Sequence, residues 1–300
     1  VNFKEKDIIF EAIFKKIKIK QQLNQYVKSP LNYTGGKFKL LSKIIPLMPK
    51  NINTFVDLFS GGFNVGINIE AQKIIYNDIE YHVYDFFKNI YELHEEKILD
   101  DIFKIIQGFQ LTKDNQEAYY KLRTTYNKDQ TWDKFYMLIC HAFNHQIRFN
   151  KQGKYNIPFG NRCFNPKLQE VFLNFLRHFK TKNILFCNKS FDELKVEKLN
   201  SEDYVYCDPP YLLATASYNE YLGWNSKKEK KLLNLLDRLN QSNIKFGLSN
   251  VIEHKGFCHE MLTNWAKKYK IYYINNNYNN CNYQNKNKNF TTVEVFITNM

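Results

Sequence analysis

The sequence predicts an α/β fold with a doubly wound sheet, and three features carry that expectation. The run INTFVDLFSGGFNVGINI (52–69) reads as strand, glycine turn and helix. A second short strand, AQKIIYNDIE (71–80), ends in an acid about twenty residues after that turn, the spacing by which strand-end glycines and an acid hold an adenosine ribose. Beyond about residue 183 the strand–helix rhythm returns, with NILFCNKSF, DYVYCDPPY, KKEKKLLNLLDRLN, IKFGLSN, KIYYINN and FTTVEVFITNM in that order.

The chain has 300 residues, enough for one large domain or two smaller ones. Its formal net charge of +13 fits a polyanionic partner, nucleic acid first, but also the Lys-, Asn-, Ile-, Tyr- and Phe-rich composition that AT-rich coding produces. No stretch approaches the ~20 apolar residues that span a bilayer. The start, VNFKEKDIIFEAIFKKIKIKQQ, has early acids and no small-residue cleavage site, so it makes a poor signal peptide. None of the six cysteines forms a C-x-x-C pair, which argues against a zinc site or disulfide framework and for reduced thiols in a cytoplasmic protein. His141 and His145 have metal-helix spacing, but Ala142 stands where H-E-x-x-H has its glutamate, so no metal is expected.

Taken in order, residues 1–28 read as a basic amphipathic helix, either packed on the body or touching a nucleic acid. SPLNYTGGKFKLLSKIIPLMP (29–49) is a Gly-Gly turn and a helix stopped by prolines. Its GGK lacks the spacing of a phosphate-binding loop. In 52–69, Phe55, Val56 and Leu58 form a buried strand, and a helix is expected after Gly61 and Gly62. Residues 81 to about 145 read as helical. NHQIRFNKQGKYNIPFGNR (144–162) alternates apolar and polar residues around NKQG, a β-hairpin signature bearing Arg148, Lys151, Lys154, Arg162, Asn150 and Asn156. Arg pairs with guanine and Asn with adenine edges in a major groove, although a charged hairpin is also simply soluble. YNNCNYQNKNKN (278–289) reads as a mobile polar loop.

The stretch YVYCDPPYLLA (204–214) has a chemistry of its own. Pro209 and Pro210 offer no backbone N–H and fix φ. Asp208 ends the strand with an acceptor-only side chain, and Tyr211 adds a flat aromatic face. The result is a rigid set of acceptors beside a stacking platform.

NYTGGK, DLFSGG, YNDIE, IRFNKQGKYNIPFGNR, DPPY and TTVEVFITN occur in the order of the Dam-type (D12 class) DNA adenine-N6 methyltransferases. Residues 29–300 resemble that family, phage-type Dam enzymes above all. Two departures stand out: Gly61-Gly62-Phe63 where many relatives have Gly-x-Gly, and Gln146 where relatives often carry an apolar residue that helps read the target. The resemblance implies a class I methyltransferase (Rossmann-like) fold, with a mostly parallel sheet and helices on both faces. It implies a discontinuous catalytic domain (29–85 and 181–300), a helical and hairpin target-recognition domain (86–180) and a basic N-terminal extension (1–28). It implies a site-specific enzyme that methylates adenine N6 of a flipped-out base in double-stranded DNA, usually in GATC.

By the same resemblance, Asp208, Pro209, Pro210 and Tyr211 are catalytic. Tyr33, Gly35, Lys37, Asp57, Phe59, Gly61, Asp78, Phe191, Asp208 and Tyr218 hold S-adenosylmethionine, with Tyr33, Lys37, Asp57, Phe59 and Gly61 on its methionine side, Asp78 at the ribose and Phe191 and Tyr218 flanking the adenine or closing the pocket. Asn32, Asn144, Gln146, Arg148, Asn150, Lys151, Pro158 and Arg162 meet the DNA, Arg148 as guanine reader. Adenine N6 is a weak nucleophile whose nitrogen gains positive charge as the methyl arrives, and fixed acceptors stabilise that state. Competing readings are an RNA or protein N-methyltransferase and a DNA-binding protein without catalysis. Cytosine-C5 methylation is rejected, because Cys207 precedes the strand-end acid rather than following a proline. Whether the chain partners a restriction endonuclease, serves a phage or regulates a host is not written in the sequence.

Overall fold

The computed structural model describes residues 26–196, 198–213, 223–274 and 292–300. The helix expected over 1–28 and the loop expected over 278–289 lie, almost entirely, outside these residues. Tyr26–Lys28 are described and are not helical. Their backbone is held from the side: Val27 exchanges two hydrogen bonds with the Asn68 carboxamide (2.7 and 2.8 Å), and Ser29 N–H donates to Asn64 Oδ1 at 3.1 Å.

After a short helix, α1 (Leu41–Ile44), come β1 (Thr54–Asp57) and β2 (Lys73–Asn77). Helices α2 (Tyr81–Glu92), α3 (Glu95–Phe109), α4 (Gln116–Tyr126), α5 (Trp132–His141) and α6 (Pro166–Lys180) lead to β3 (Ile184–Cys187) and β4 (Tyr204–Cys207). Then follow α7 (Ser226–Gln241), β5 (Lys245–His254), β6 (Phe257–Cys258), α8 (Glu260–Ala266), β7 (Lys270–Tyr273) and β8 (Thr292–Thr298). The sheet order is β3-β2-β1-β4-β5-β8-β7, with β6 on β5. Strands β1 to β5 pair in parallel, whereas β8 runs antiparallel between β5 and β7. This is the doubly wound, mostly parallel sheet that the sequence predicts, with helices inserted in the crossover from β2 to β3.

Alternation along each strand builds one core per face. Phe55 of β1 stacks on Tyr204 and Tyr206 of β4, with ring centroids 6.0 and 6.4 Å apart, and Tyr206 continues to Phe296 of β8. That face is covered by α2–α6. Val56, Val205, Phe246 and Leu248 point to the other face and meet Leu232, Leu236 and Leu239 of α7. Burying such a side chain fully stabilises by about 1.5–3 kcal/mol. Order 1-4 at the centre makes the β1/β4 boundary the switch point, where connections leave in opposite directions and open a crevice at the carboxyl ends of the strands.

Two local expectations are corrected. No long helix follows Gly61 and Gly62; only a single tight turn forms, Gly66–Asn68. The Asn64 and Asn68 side chains are committed to the 27–29 backbone instead. Phe63 also takes φ +57°, left-handed for a non-glycine residue. Its ring is fully buried against Tyr76, Phe87 and Phe179, which holds that backbone in place. Second, the 144–162 hairpin has no strands, only two isolated antiparallel bridges, Ala142 to Phe159 and Phe149 to Tyr155. Its backbone is satisfied by side chains: Tyr119 Oη and Arg123 donate to Ile157 O (2.9 and 3.0 Å), and Asn127 donates to Tyr155 O and accepts from its N–H.

The Phe63 ring leaves no room for a side chain at residue 66, where an added Cβ would lie 2.2 Å from Phe63 Cε2. Gly66→Ala should therefore lower stability by about 1–3 kcal/mol through overpacking, read as a lower urea midpoint at unchanged slope. A midpoint equal to that of the parent would show that the Phe63 ring does not lock this turn.

Candidate active site

An open cleft lies at the switch point. Its walls are the 33–37 segment, the loops after β1, β2, β3 and β4, and the approach to α7. Of the residues predicted to hold a cofactor, Tyr33, Gly35, Lys37, Asp57, Phe59, Gly61, Asp78, Phe191 and Asp208 all line it, as do Pro209, Pro210 and Tyr211. Tyr218 lies outside the described residues. In the cleft wall Phe59 packs against Phe191, their ring centroids 5.5 Å apart.

Gly61 has φ +47°, and a Cβ there would lie 2.9 Å from Tyr33 Cδ1, so only glycine lets Tyr33 close over the loop. The Gly61 N–H donates to Asp78 Oδ2 at 2.6 Å, and Glu80 N–H donates to Asp78 Oδ1 at 2.8 Å. Asn77 stitches this end together: its Nδ2 donates to Leu58 O and Lys189 O, and its Oδ1 accepts from Lys189 N–H.

At the other end Lys37, only 2 % exposed, places Nζ 2.7 Å from Asp208 Oδ2, 2.8 Å from Gly35 O and 3.8 Å from Glu294 Oε1. Tyr211 Oη lies 3.1 Å from Asp208 Oδ1 and 3.0 Å from Glu294 Oε1, and Lys37 Nζ sits 5.0 Å from the Tyr211 ring centroid. Asp208, Tyr211, Lys37 and Glu294 thus form one network joining three chain segments.

The carboxyls of the cleft, and Glu80 beside it, are held above their usual range, in each case chiefly by burial. Asp57 is pushed up to about 8, with Asp208 and Asp78 adding repulsion against the Gly66 N–H that favours its charge. Asp78 rises to about 6 and Glu80 to about 7, both against backbone N–H groups that pull them down. Burial also raises Asp208, against the Lys37 ammonium and the Tyr211 hydroxyl, which favour its charge.

The predicted DNA residues other than Asn32 lie on the hairpin, and all of them lie outside the cleft. Asn32, Gln146, Arg148, Lys151, Pro158 and Arg162 are exposed, and Asn144 and Asn150 half-buried. The Arg148 guanidinium is oriented by Asn156, with Nε 2.8 Å from Asn156 Oδ1. Asn150 Oδ1 accepts from Gln152 and Lys154 N–H, so its carboxamide oxygen closes the turn. Asn32 Nδ2 donates to Asn144 O at 2.9 Å, tying the hairpin base to the residue beside Tyr33.

A family model for D12 class N6 adenine-specific DNA methyltransferases matches residues 33–294. The chain belongs to this class. It is 43 % identical over 292 residues to the Type II methyltransferase M.FokI of Planomicrobium okeanokoites, covering 95 % of this chain and 45 % of that protein. It is 42 % identical over 283 residues to the Modification methylase StsI of Streptococcus sanguinis, covering 92 % and 43 %. The DNA N-6-adenine-methyltransferase of Escherichia phage P1 is 26 % identical over 239 residues, covering 75 % and 30 %. These identities correct the expected phage-type likeness: the modification methylases resemble this class member more. The chain spans less than half the length of these relatives.

Sequence reasoning missed Glu294, Trp224 and Phe143. Glu294 is an acid within the apolar strand TVEVFIT, 3 % exposed, which is a readable signal. Trp224 stands against Phe59 and Phe191 in the cleft wall, at 5.6 Å from each. Phe143 is 50 % exposed at the hairpin base, beside Asn144 and His145 in left-handed backbone, where an apolar exposed residue would be the only cue. Among the described residues no helix is long and apolar enough to cross a membrane.

Asp57, Asp78 and Glu80 keep their protons in the folded chain to a higher pH than in the unfolded chain. The folded state therefore binds more protons between about pH 4 and pH 8, and stability falls as pH rises through that window. Asp57→Asn should flatten this fall, measured as the urea midpoint at about pH 5 and about pH 8. A variant that loses stability as steeply as the parent would place the proton elsewhere.

Proposed function

We propose that this chain transfers a methyl group from S-adenosylmethionine to adenine N6 in double-stranded DNA. The observation that carries the reading is the convergence, in one cleft, of the Asp208–Tyr211 tetrapeptide with the glycine loop and Asp78. Asp57, Asp78 and Asp208 supply more acidic groups than burial alone tolerates, so the cleft suits a cationic ligand. When bound, S-adenosylmethionine supplies an electrophilic methyl group on a sulfonium and a cationic ammonium. Asp78 is the ribose partner, Tyr33, Gly35, Lys37, Asp57 and Gly61 the methionine side, and Phe59 and Phe191 the adenine side.

Asp208 and the Pro209 carbonyl accept the N6 hydrogens of the target base. Each Asp208 oxygen is already fixed, one by Lys37 and one by Tyr211, and each retains a second lone pair. The acceptors therefore need little reorganisation as charge develops on nitrogen. The Tyr211 ring stacks on the base. Extruding adenine costs a few kcal/mol, which stacking partly offsets. Phe143 fits the role of an apolar wedge in the gap left behind.

The same reading divides the chain into a catalytic unit (29–85 and 181–300), a target-recognition unit (86–180) and an N-terminal extension (1–28). In the target-recognition unit Arg148 reads guanine, with Asn32, Asn144, Gln146, Asn150, Lys151, Pro158 and Arg162 around it. The relatives' names as Type II methyltransferase and Modification methylase support a place beside a restriction endonuclease. None of them names a target sequence, and GATC enters as one arm of the test.

The test is transfer of labelled methyl from S-adenosylmethionine to unmethylated DNA with and without GATC, followed by digestion to nucleosides. Label in N6-methyladenosine supports the chemistry, and its dependence on GATC decides the target. Label on RNA or protein but not on DNA overturns the reading. Asp208→Ala should cut turnover by about 10²–10³-fold. Arg148→Ala should cost about 1–3 kcal/mol of discrimination at one base pair; equal loss on every sequence would reduce Arg148 to a phosphate contact.

A further inference from the structure

Glu229 is a carboxylate with no part in the chemistry above, yet it is fully buried on the first turn of α7. A buried charge is costly unless hydrogen-bonded on every side. Both of its oxygens are engaged. Oε2 accepts from Trp224 Nε1–H at 2.7 Å, and Oε1 accepts from Asn250 Nδ2 of β5 at 3.0 Å. His259 Nε2, at the head of α8, lies 3.4 Å from Oε1. Asn225 caps α7 by accepting from Lys227 and Lys228 N–H, which fixes the turn carrying Glu229.

What this arrangement holds in place is the Trp224 ring, which is part of the cleft wall. Trp224 meets Phe59 edge-on at 84° and Phe191 at 56°, and the three rings form an aromatic corner. The corner adjoins Asp78: the loop bearing Phe191 is tied to it through Asn188, whose Nδ2 donates to Asp78 O at 2.7 Å. The Lys37–Asp208 network occupies the opposite end. A ligand with a ribose at Asp78 therefore places a heteroaromatic ring at the corner, where offset and edge contacts are favourable.

We infer that Trp224 is a wall of the pocket for the methyl donor's adenine, and that Glu229 is a positioning residue that aims its indole through the Nε1–H bond. This rests on the proposed use of S-adenosylmethionine. Packing alone would leave a half-exposed indole free to lie flat over the cleft; a bond to a buried carboxylate removes that freedom.

The probe is S-adenosylhomocysteine, titrated by calorimetry and by tryptophan fluorescence. Trp224→Leu should weaken binding about tenfold, while Trp224→Phe keeps the affinity and loses the ligand-induced fluorescence change. Glu229→Gln should raise KM for the donor at unchanged kcat, since Asp208 and Tyr211 are untouched. Should Glu229→Gln fail to fold, hydrogen exchange of the Trp224 indole N–H in the parent protein decides: slow exchange supports the bond, and exchange at the rate of an open indole overturns it. Trp224→Leu binding as tightly as the parent overturns the inference. A parent that binds no S-adenosylhomocysteine overturns the proposed function instead.

Discussion

The buried ammonium of Lys37 constrains the whole site. At 2 % exposure it must find compensation inside the protein, and it finds Asp208, Gly35 O and Glu294. Removing one partner of such a pair costs about 3–5 kcal/mol. The 33–37 segment, the end of β4 and the middle of β8 therefore have to meet at one point, although Glu294 and Tyr211 are 83 residues apart in the chain. The sheet supplies that point, because β1 and β4 are neighbours at the switch and β8 lies two strands away across β5. The same contact fixes the Asp208 oxygens and the Tyr211 ring.

Around this contact the cleft collects acids at close quarters. Asp57 retains its proton to about pH 8 because it is buried near Asp78 and Asp208. A site built this way is poorly solvated when empty and gains most from a cationic ligand. The proposed donor provides the required charge. The aromatic corner of Phe59, Phe191 and Trp224 has no charge to offer and suits the opposite, uncharged end.

Much of this was legible in the residues, and the illegible part has a common physical cause. Short strands such as TFVD and YVYC announce themselves by β-branched and aromatic content, and the glycine turn, Asp78 and DPPY mark strand ends. The turn at Gly66–Asn68 was misread as a helix because Asn64 and Asn68 spend their side chains on a backbone some forty residues earlier. The hairpin forms no strands because Tyr119 and Arg123 of α4, and Asn127 just beyond it, bind its carbonyls. Glu294, Trp224 and Glu229 act through partners distant in sequence, which local pattern does not reveal. The likeness to modification methylases was hidden because the motifs quoted are shared across the class.

The most direct measurement is a double-mutant cycle on the central pair: Lys37→Met, Asp208→Asn and both together, each scored by urea unfolding. Strong coupling is expected, with the double variant losing less stability than the sum of the singles by at least about 1 kcal/mol. Losses that add to within about 0.3–0.5 kcal/mol would contradict it and would leave the tetrapeptide held by the sheet alone.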